Sequence, residues 1–321
     1  YNITELPSAD LNTLYKIRDP ALLEALTGLR MNPAEGSTVI RSNSDGMNIE
    51  SQSRIGETSV NASVTVRFQD ANIGSLNARF ESPQLRLEDL GLQAAGQGEQ
   101  TYNPSEKLEK VEAESRLEGL LKRSPRYPTD LALKLDGIYG ENTSIDRLDL
   151  HVTGVDNRYT LRRFTVGYEH RVAEMRGIID LNATPPFVSI AGEALAIPLN
   201  TLGRDLGREA DIKGQITVRG GLASQGYSTD ELLKDVDGSL ALALENAEIE
   251  GAAYDILATD LLAWIYSGAS MEKSTHIDCT MGKFDIRDGV AKSDSLYIET
   301  SKMVATGTAS FDMVREKMDV S

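Results

Sequence analysis

The feature that constrains this chain most is a hydrophobic alternation of period two. Val60, Ala62, Val64, Val66 and Phe68 alternate with Asn61, Ser63, Thr65 and Arg67. Only an extended strand puts such a set on one side, because successive strand side chains point to opposite faces. The pattern returns at Leu131, Leu133 and Leu135, and at Leu148, Leu150 and Val152 against Arg147, Asp149 and His151. It continues through Leu161, Phe164 and Val166, then Ile178–Ile179, then Val188 and Ile190. Glycine, asparagine and aspartate cluster between these runs, at 140–142, 154–157 and 180–182. Short strands at near-regular spacing with such turns predict an antiparallel meander. Leu240, Leu242 and Leu244 make a further strand, and residues 277–320 return to strands, with Asp288-Gly289 as a hairpin turn.

Helical signals interrupt the meander. Asp19-Pro20, followed by Ala21, Leu22, Leu23, Ala25 and Leu26, places a cap and a proline at a first turn, so residues 1–35 read as a helical N-terminal segment. Residues 36–321 read as one continuous β region with helical insertions near 104–122, 228–236 and 253–267. In the first insertion Leu108, Val111, Leu117, Leu120 and Leu121 recur at helical spacing. The second opens with the capping box Ser228-Thr229-Asp230-Glu231, and the third carries Ile256, Leu257, Leu261, Trp264 and Ile265 on one side. The chain opens at Tyr1 and stops at Ser321 within a strand pattern, and both ends read as cut points.

Charge and composition exclude several functions. A formal net charge of -16 repels phosphate backbones, so no nucleic acid is expected as a partner. Cys279 is the single cysteine and can form neither an intrachain disulfide nor a zinc cluster. His151, His170 and His276 lack metal-pair spacing. There is no phosphate loop, no dinucleotide fingerprint and no nucleophile elbow. The expectation is a non-catalytic chain without metal or cofactor.

An antiparallel sheet with one apolar and one polar face produces this clean alternation. Its apolar stripe could line an open trough or fill the core of a closed sandwich or barrel, and periodicity does not separate the two. The stripe residues are Leu133, Leu135, Leu148, Leu150, Val152, Phe164 and Val166, then Ile190, Leu240, Leu242, Leu244, Ile286, Leu296 and Ile298.

Several segments, in order along the chain, resemble one family. Gly214–Ser228, Glu231-Leu232-Leu233, Asp237-Gly238-Ser239-Leu240 and Glu248-Ile249-Glu250-Gly251 form one block. Asp285-Ile286-Arg287-Asp288-Gly289, Leu296–Thr300, Gly307–Asp312 and Glu316–Asp319 form a second. These are similar to motifs of the AsmA family, with Ala309 in place of a glycine and Phe311-Asp312 in place of Asp-Leu. Phe68–Leu92 is similar in outline, through Pro83, Leu85, Leu87 and Asp89-Leu90.

The resemblance implies a mainly-β, twisted antiparallel sheet curled into an AsmA/chorein-like β-groove, with a few short α-helices covering its ends or inserted between strands. It implies a periplasmic location and an inner-membrane anchor missing from this sequence. It also implies acyl lipids such as phospholipids in the groove, in transport between inner and outer membranes, and no catalytic residues. Alternatives are an outer-membrane protein assembly or envelope-integrity factor that contacts envelope proteins, or a hydrolase hidden in the meander.

Overall fold

A computed structural model describes residues 8–19, 31–70, 72–92, 127–140, 144–199, 212–250, 274–301, 303–315 and 317–320. The fold is mainly β, and the chain divides by contact into two compact units. The first holds β1 (Ala9–Ile17), β2 (Ala34–Asn43), β3 (Gly46–Ile55), β4 (Thr58–Gln69), β5 (Asn72–Arg86), β6 (Thr129–Leu135), β7 (Ile138–Tyr139), β8 (Ser144–Ile145), β9 (Arg147–Val155) and β10 (Arg158–Tyr168). The second holds β11 (Arg171–Asp180), β12 (Phe187–Pro198), β13 (Ile212–Gln225), β14 (Asp237–Glu250), β15 (Ser274–Arg287), β16 (Val290–Thr300), β17 (Val304–Asp312) and β18 (Lys317–Val320).

In the first unit the strands pair in the order β1-β2-β3-β4-β5-β6-β9-β10, with β7 continuing beside β5 and β8 beside β7. In the second they pair in chain order from β11 to β18. The sheet is open, and the strands of neither unit close on themselves through the pairings among the described residues.

Two expectations are corrected. Residues 9–17 are a strand and not a helix. Leu11, Thr13, Tyr15 and Ile17 alternate, and β1 pairs with β2 along its whole length, from Ala9↔Ser42 to Ile17↔Ala34. The helical signal of 19–26 sits mostly on residues 20–30, outside the described residues. Secondly, the sheet is mixed and not purely antiparallel, because β5 runs parallel to β6 and β7. Parallel neighbours need a long crossover, and residues 87–128 supply it.

Of the helical insertions, 104–122 and 253–267 lie outside the described residues. The one at 228–236 is α1 (Thr229–Lys234), whose cap Ser228 accepts from Glu231 N–H at 3.2 Å. Glu231 reaches back one residue further than a standard capping box, accepting from Tyr227 N–H at 2.7 Å.

The end of the first unit is fastened by Asp89. β5 ends at Arg86, and a 3₁₀ turn over Glu88–Leu90 carries Asp89 inward. Its side chain, 4% exposed, accepts hydrogen bonds from Asn32 Nδ2 (2.6 Å), Glu57 N–H, Thr58 N–H and Thr58 Oγ1 (each 2.9 Å). Thr58 Oγ1 in turn accepts from Arg86 N–H at 2.9 Å. Gly56 has φ +57, and a Cβ there would strike this carboxylate, so the β3–β4 turn requires glycine. One buried carboxylate thus joins the start of β2, the β3–β4 turn and the exit of β5.

Burial raises the Asp89 pKa, but the bonds from Asn32, Thr58 and Glu57 outweigh it and hold the group below its ordinary value. A depressed carboxylate contributes stability above its unfolded pKa and loses it as pH falls through the folded one. Asp89→Asn turns one acceptor into a donor facing donors and is expected to cost about 2–3 kcal/mol. In urea titrations its midpoint should fall at neutral pH with an unchanged slope. The deficit relative to wild type should shrink as pH falls below the ordinary aspartate range, where the unfolded chain takes up its proton first, and should close only once the depressed folded group protonates as well.

Candidate functional site

Directly opposed residues of neighbouring strands share a face, so the registers assign every paired side chain to one side of its sheet. In the first unit one row runs Leu11, Ile40, Ile49, Val64, Ala78, Leu131, Val152, Leu161. The next runs Thr13, Thr38, Ser51, Ala62, Phe80, Leu133, Leu150, Phe164. Among the paired residues of β1–β6, β9 and β10 this face holds no Asp, Glu, Lys, Arg or His.

The opposite face is charged. Lys16 bonds Glu35 at 2.5 Å, His151 lies 3.0 Å from Asp130, and buried Asp149 is flanked by Arg147 (3.2 Å) and Arg163 (3.1 Å). These pairs, across strands and, for Arg147–Asp149, within β9, keep this face toward water.

The second unit repeats the division. One face carries the row Gly177, Ile190, Leu222, Gly238, Ile286, Ala291, Phe311. Beside it lie Met175, Gly192, Gly220, Leu240, Phe284 and then Ala173, Ala194, Val218, Leu242, Gly282. This face is also without ionisable side chains among its paired residues. The other face bears Glu193 bonded to Arg219 at 2.6 Å, together with Lys283, Asp285 and Lys292.

Every residue of the expected stripe falls on the uncharged face of its own unit. Leu133, Leu135, Leu148, Leu150, Val152, Phe164 and Val166 share that face in the first. Ile190, Leu240, Leu242, Leu244, Ile286, Leu296 and Ile298 share it in the second. They differ in cover. Ile286 (2% exposed), Ile298, Leu296 and Leu135 are packed away, whereas Ile190 is 42% exposed.

The open part of each face also includes residues that the stripe missed. Phe80 (41% exposed) and Leu131 belong to the first unit, Met175 and Ile179 to the second. Phe80 stands between Arg79 and Glu81, and Met175 between Glu174 and Arg176, so charged neighbours hid them. The alternation itself was the signal that could have found them.

No group of three or more His, Cys, Asp and Glu that could hold a metal occurs among the described residues. Cys279 lies on the charged side of its sheet, and burial first, then Glu245 and Glu299, push its thiol pKa up, away from a nucleophilic thiolate.

The model of the AsmA family matches residues 17–296, most of the chain. The chain belongs to the AsmA family. No curated protein and no solved structure matches it. AsmA family members are generally non-catalytic, envelope-associated and lipid-transport-like, and membership supports an envelope-related, lipid-transport-like role for this chain. No helix among its described residues is long and apolar enough to cross a membrane.

Glycines shape the AsmA face of the second unit. A Cβ on Gly220 would lie 2.5 Å from Ser239 O and 3.0 Å from Leu240 Cδ1, whereas one on Gly221, facing the other way, meets nothing closer than 3.5 Å. Gly220→Ala is therefore expected to cost about 1–3 kcal/mol through overpacking. Gly221→Ala should be neutral or stabilising by up to about 1 kcal/mol. Thermal denaturation of the pair checks this: a lower Tm for the first only.

Proposed function

We propose that this AsmA chain binds the acyl chains of phospholipids along its uncharged sheet faces, which act as a groove, and contributes to phospholipid transport between inner and outer membranes. It works in the periplasm, held at the inner membrane by an anchor outside this sequence, and performs no catalysis. The observation that carries the reading is the complete segregation of charge. In each unit the strands present one face whose paired residues include no Asp, Glu, Lys, Arg or His, and Phe80, Leu131, Met175, Ile179 and Ile190 on those faces remain substantially exposed.

Large exposed apolar surface marks a binding surface, and an acyl chain laid on it gains ~0.8 kcal/mol per buried CH₂. A chain burying about ten methylenes would gain on the order of 8 kcal/mol before the cost of ordering. An uncharged face also lets the chain slide, since no fixed polar contact selects one position along it.

A second reading is an envelope assembly factor that pairs strands with envelope proteins. It is favoured by β1, which pairs only with β2 among the described residues and carries Leu14 at 83% exposure on the charged face. An unpaired edge templates such pairing.

Native mass spectrometry of the detergent-free protein, incubated with bacterial phospholipids, distinguishes the two. Adducts of phospholipid mass are expected. Leu150→Asp and Leu242→Asp should reduce them severalfold, and Ala132→Asp and Ala241→Asp, on the opposite faces, should not. Protein without adducts at every lipid concentration would remove the lipid reading and leave the assembly factor.

A further inference from the structure

Among the described residues β1 pairs on one side only, with β2, so its outer edge presents the backbone donors and acceptors of alternate residues. The edge is not blunted by a proline or a bulge, and it leaves Leu11 53% and Leu14 83% exposed. Its charges are confined to Asp10 near one end and Lys16 near the other. Lys16 bonds Glu35, whereas Asp10 has no ion pair or hydrogen bond among the described residues.

This edge is complementary to itself. A strand that pairs with its own copy about a two-fold axis normal to the sheet is antiparallel to it. Opposed residues share a face, so the uncharged faces of both copies stay on one side only if the axis passes through a residue and not between two. An axis at Thr13 pairs the strand along its whole length. Ala9 then opposes Ile17, Asp10 opposes Lys16, Leu11 opposes Tyr15, and Asn12 opposes Leu14. An axis at Asn12 or at Leu14 shortens the pairing and sets Asp10 against Leu14, or Lys16 against Asn12. The neighbouring strands extend the match at Thr13. Arg41 lies beside Asp10, Glu35 beside Lys16, and Arg54 beside Glu35. Across the axis the charged-face row reads Arg41 and Asp10, then Lys16, Glu35 and Arg54 of the second copy. The sign alternates at every step, and the axis makes this row twice. On the same face the two copies of Leu14 become diagonal neighbours beside the axis and cover each other.

We infer that β1 is a self-association edge, through which two copies of this chain join β1 to β1 about Thr13. Asp10 and Lys16 pair across both ends of the contact, and the two uncharged faces become one continuous surface. The contact is one strand wide, so association is weak and concentration-dependent, below the size of a standard interface. The net charge of -16 on each chain opposes association at long range, and the two Asp10–Lys16 pairs offset that repulsion at the contact itself. The inference concerns the edge alone and does not depend on the lipid reading. It commits β1 to a second copy of this chain and not to the envelope protein of the second reading.

Sedimentation equilibrium of the whole chain tests this. The mass of wild type is expected to rise with concentration from that of one chain toward that of two. Asp10→Lys sets like charges opposite each other at both ends of the pairing, and so does Lys16→Asp. Each variant alone should dimerise about tenfold more weakly. Mixed in equal amounts, the two variants should associate as wild type does, because each end then joins unlike charges. Both side chains are exposed on the edge strand, and circular dichroism verifies that the fold is kept. Wild type with the mass of one chain at every concentration overturns the inference and leaves β1 to an envelope protein. Dimers that both single variants preserve, or a mixture that stays monomeric, overturn the Thr13 pairing. Growth beyond two chains overturns the closed two-fold contact.

Discussion

Everything in this molecule depends on strand register. With a side-chain period of two, a slip of one residue in any pair would carry charged side chains onto the uncharged face and leucines into water. The chain holds register through long, unbroken pairings: Ala9–Ile17 against Ala34–Ser42, and Ala34–Asn43 against Gly46–Ile55. Where bulges occur, the pairing resumes on the same side. After the bulge at Leu195-Ala196, Ile197 meets Ile216, and Ile216 meets Leu244. The bulge between Leu161 and Arg163 returns Phe164 opposite Leu150. A bulge adds local twist without inverting the faces, so the sheet can bend and stay amphipathic.

The charged faces enforce the same outcome from the other side. Asp149 is buried between two arginines, and moving it to the hydrocarbon face would strand a carboxylate without partners. Glu193–Arg219 plays a comparable part in the second unit, where alanines and glycines such as Ala191, Gly221 and Ala241 fill some of the intervening positions. Register is therefore set twice, by what the uncharged face excludes and by what the charged face pairs.

Much of this is legible in the sequence because a single period encodes it. Leu148, Leu150 and Val152 against Arg147, Asp149 and His151 give strand, faces and neighbours at once, and the registers place every stripe residue on the uncharged side. Three things were hidden. β1 was masked by a proline, a cap and leucines immediately downstream, a stronger local signal than its own Leu11, Thr13, Tyr15 and Ile17. The parallel pairing of β5 with β6 depends on a partner chosen across residues 87–128, and no local pattern records such a choice. Asp89 lies inside a motif of alternating leucines, and only the fold shows that it ends the strand and gathers Asn32, Glu57, Thr58 and, through Thr58, Arg86. Cover is also unreadable from alternation: Ile190 and Ile286 share a row, yet one is open and the other closed.

That difference in cover bears on how a lipid-handling face stays ready without collapsing. On the uncharged face of the second unit glycines sit opposite longer side chains and beside the open Met175, Ile179 and Ile190. Met175 leans over Gly192, and Leu240 over Gly220: a Cβ at those glycines would lie 2.8 Å from Met175 Cγ and 3.0 Å from Leu240 Cδ1. Methionine has three rotatable bonds and adapts to irregular gaps. With strands about 4.8 Å apart, two adjacent glycines clear a lane roughly 10 Å wide once those side chains swing aside. Under the proposed function, an acyl chain on this lane would replace the methionine and leucine contacts with contacts of the same kind, an exchange near neutral in hydrophobic area. A surface that held a lipid much more tightly would not release it.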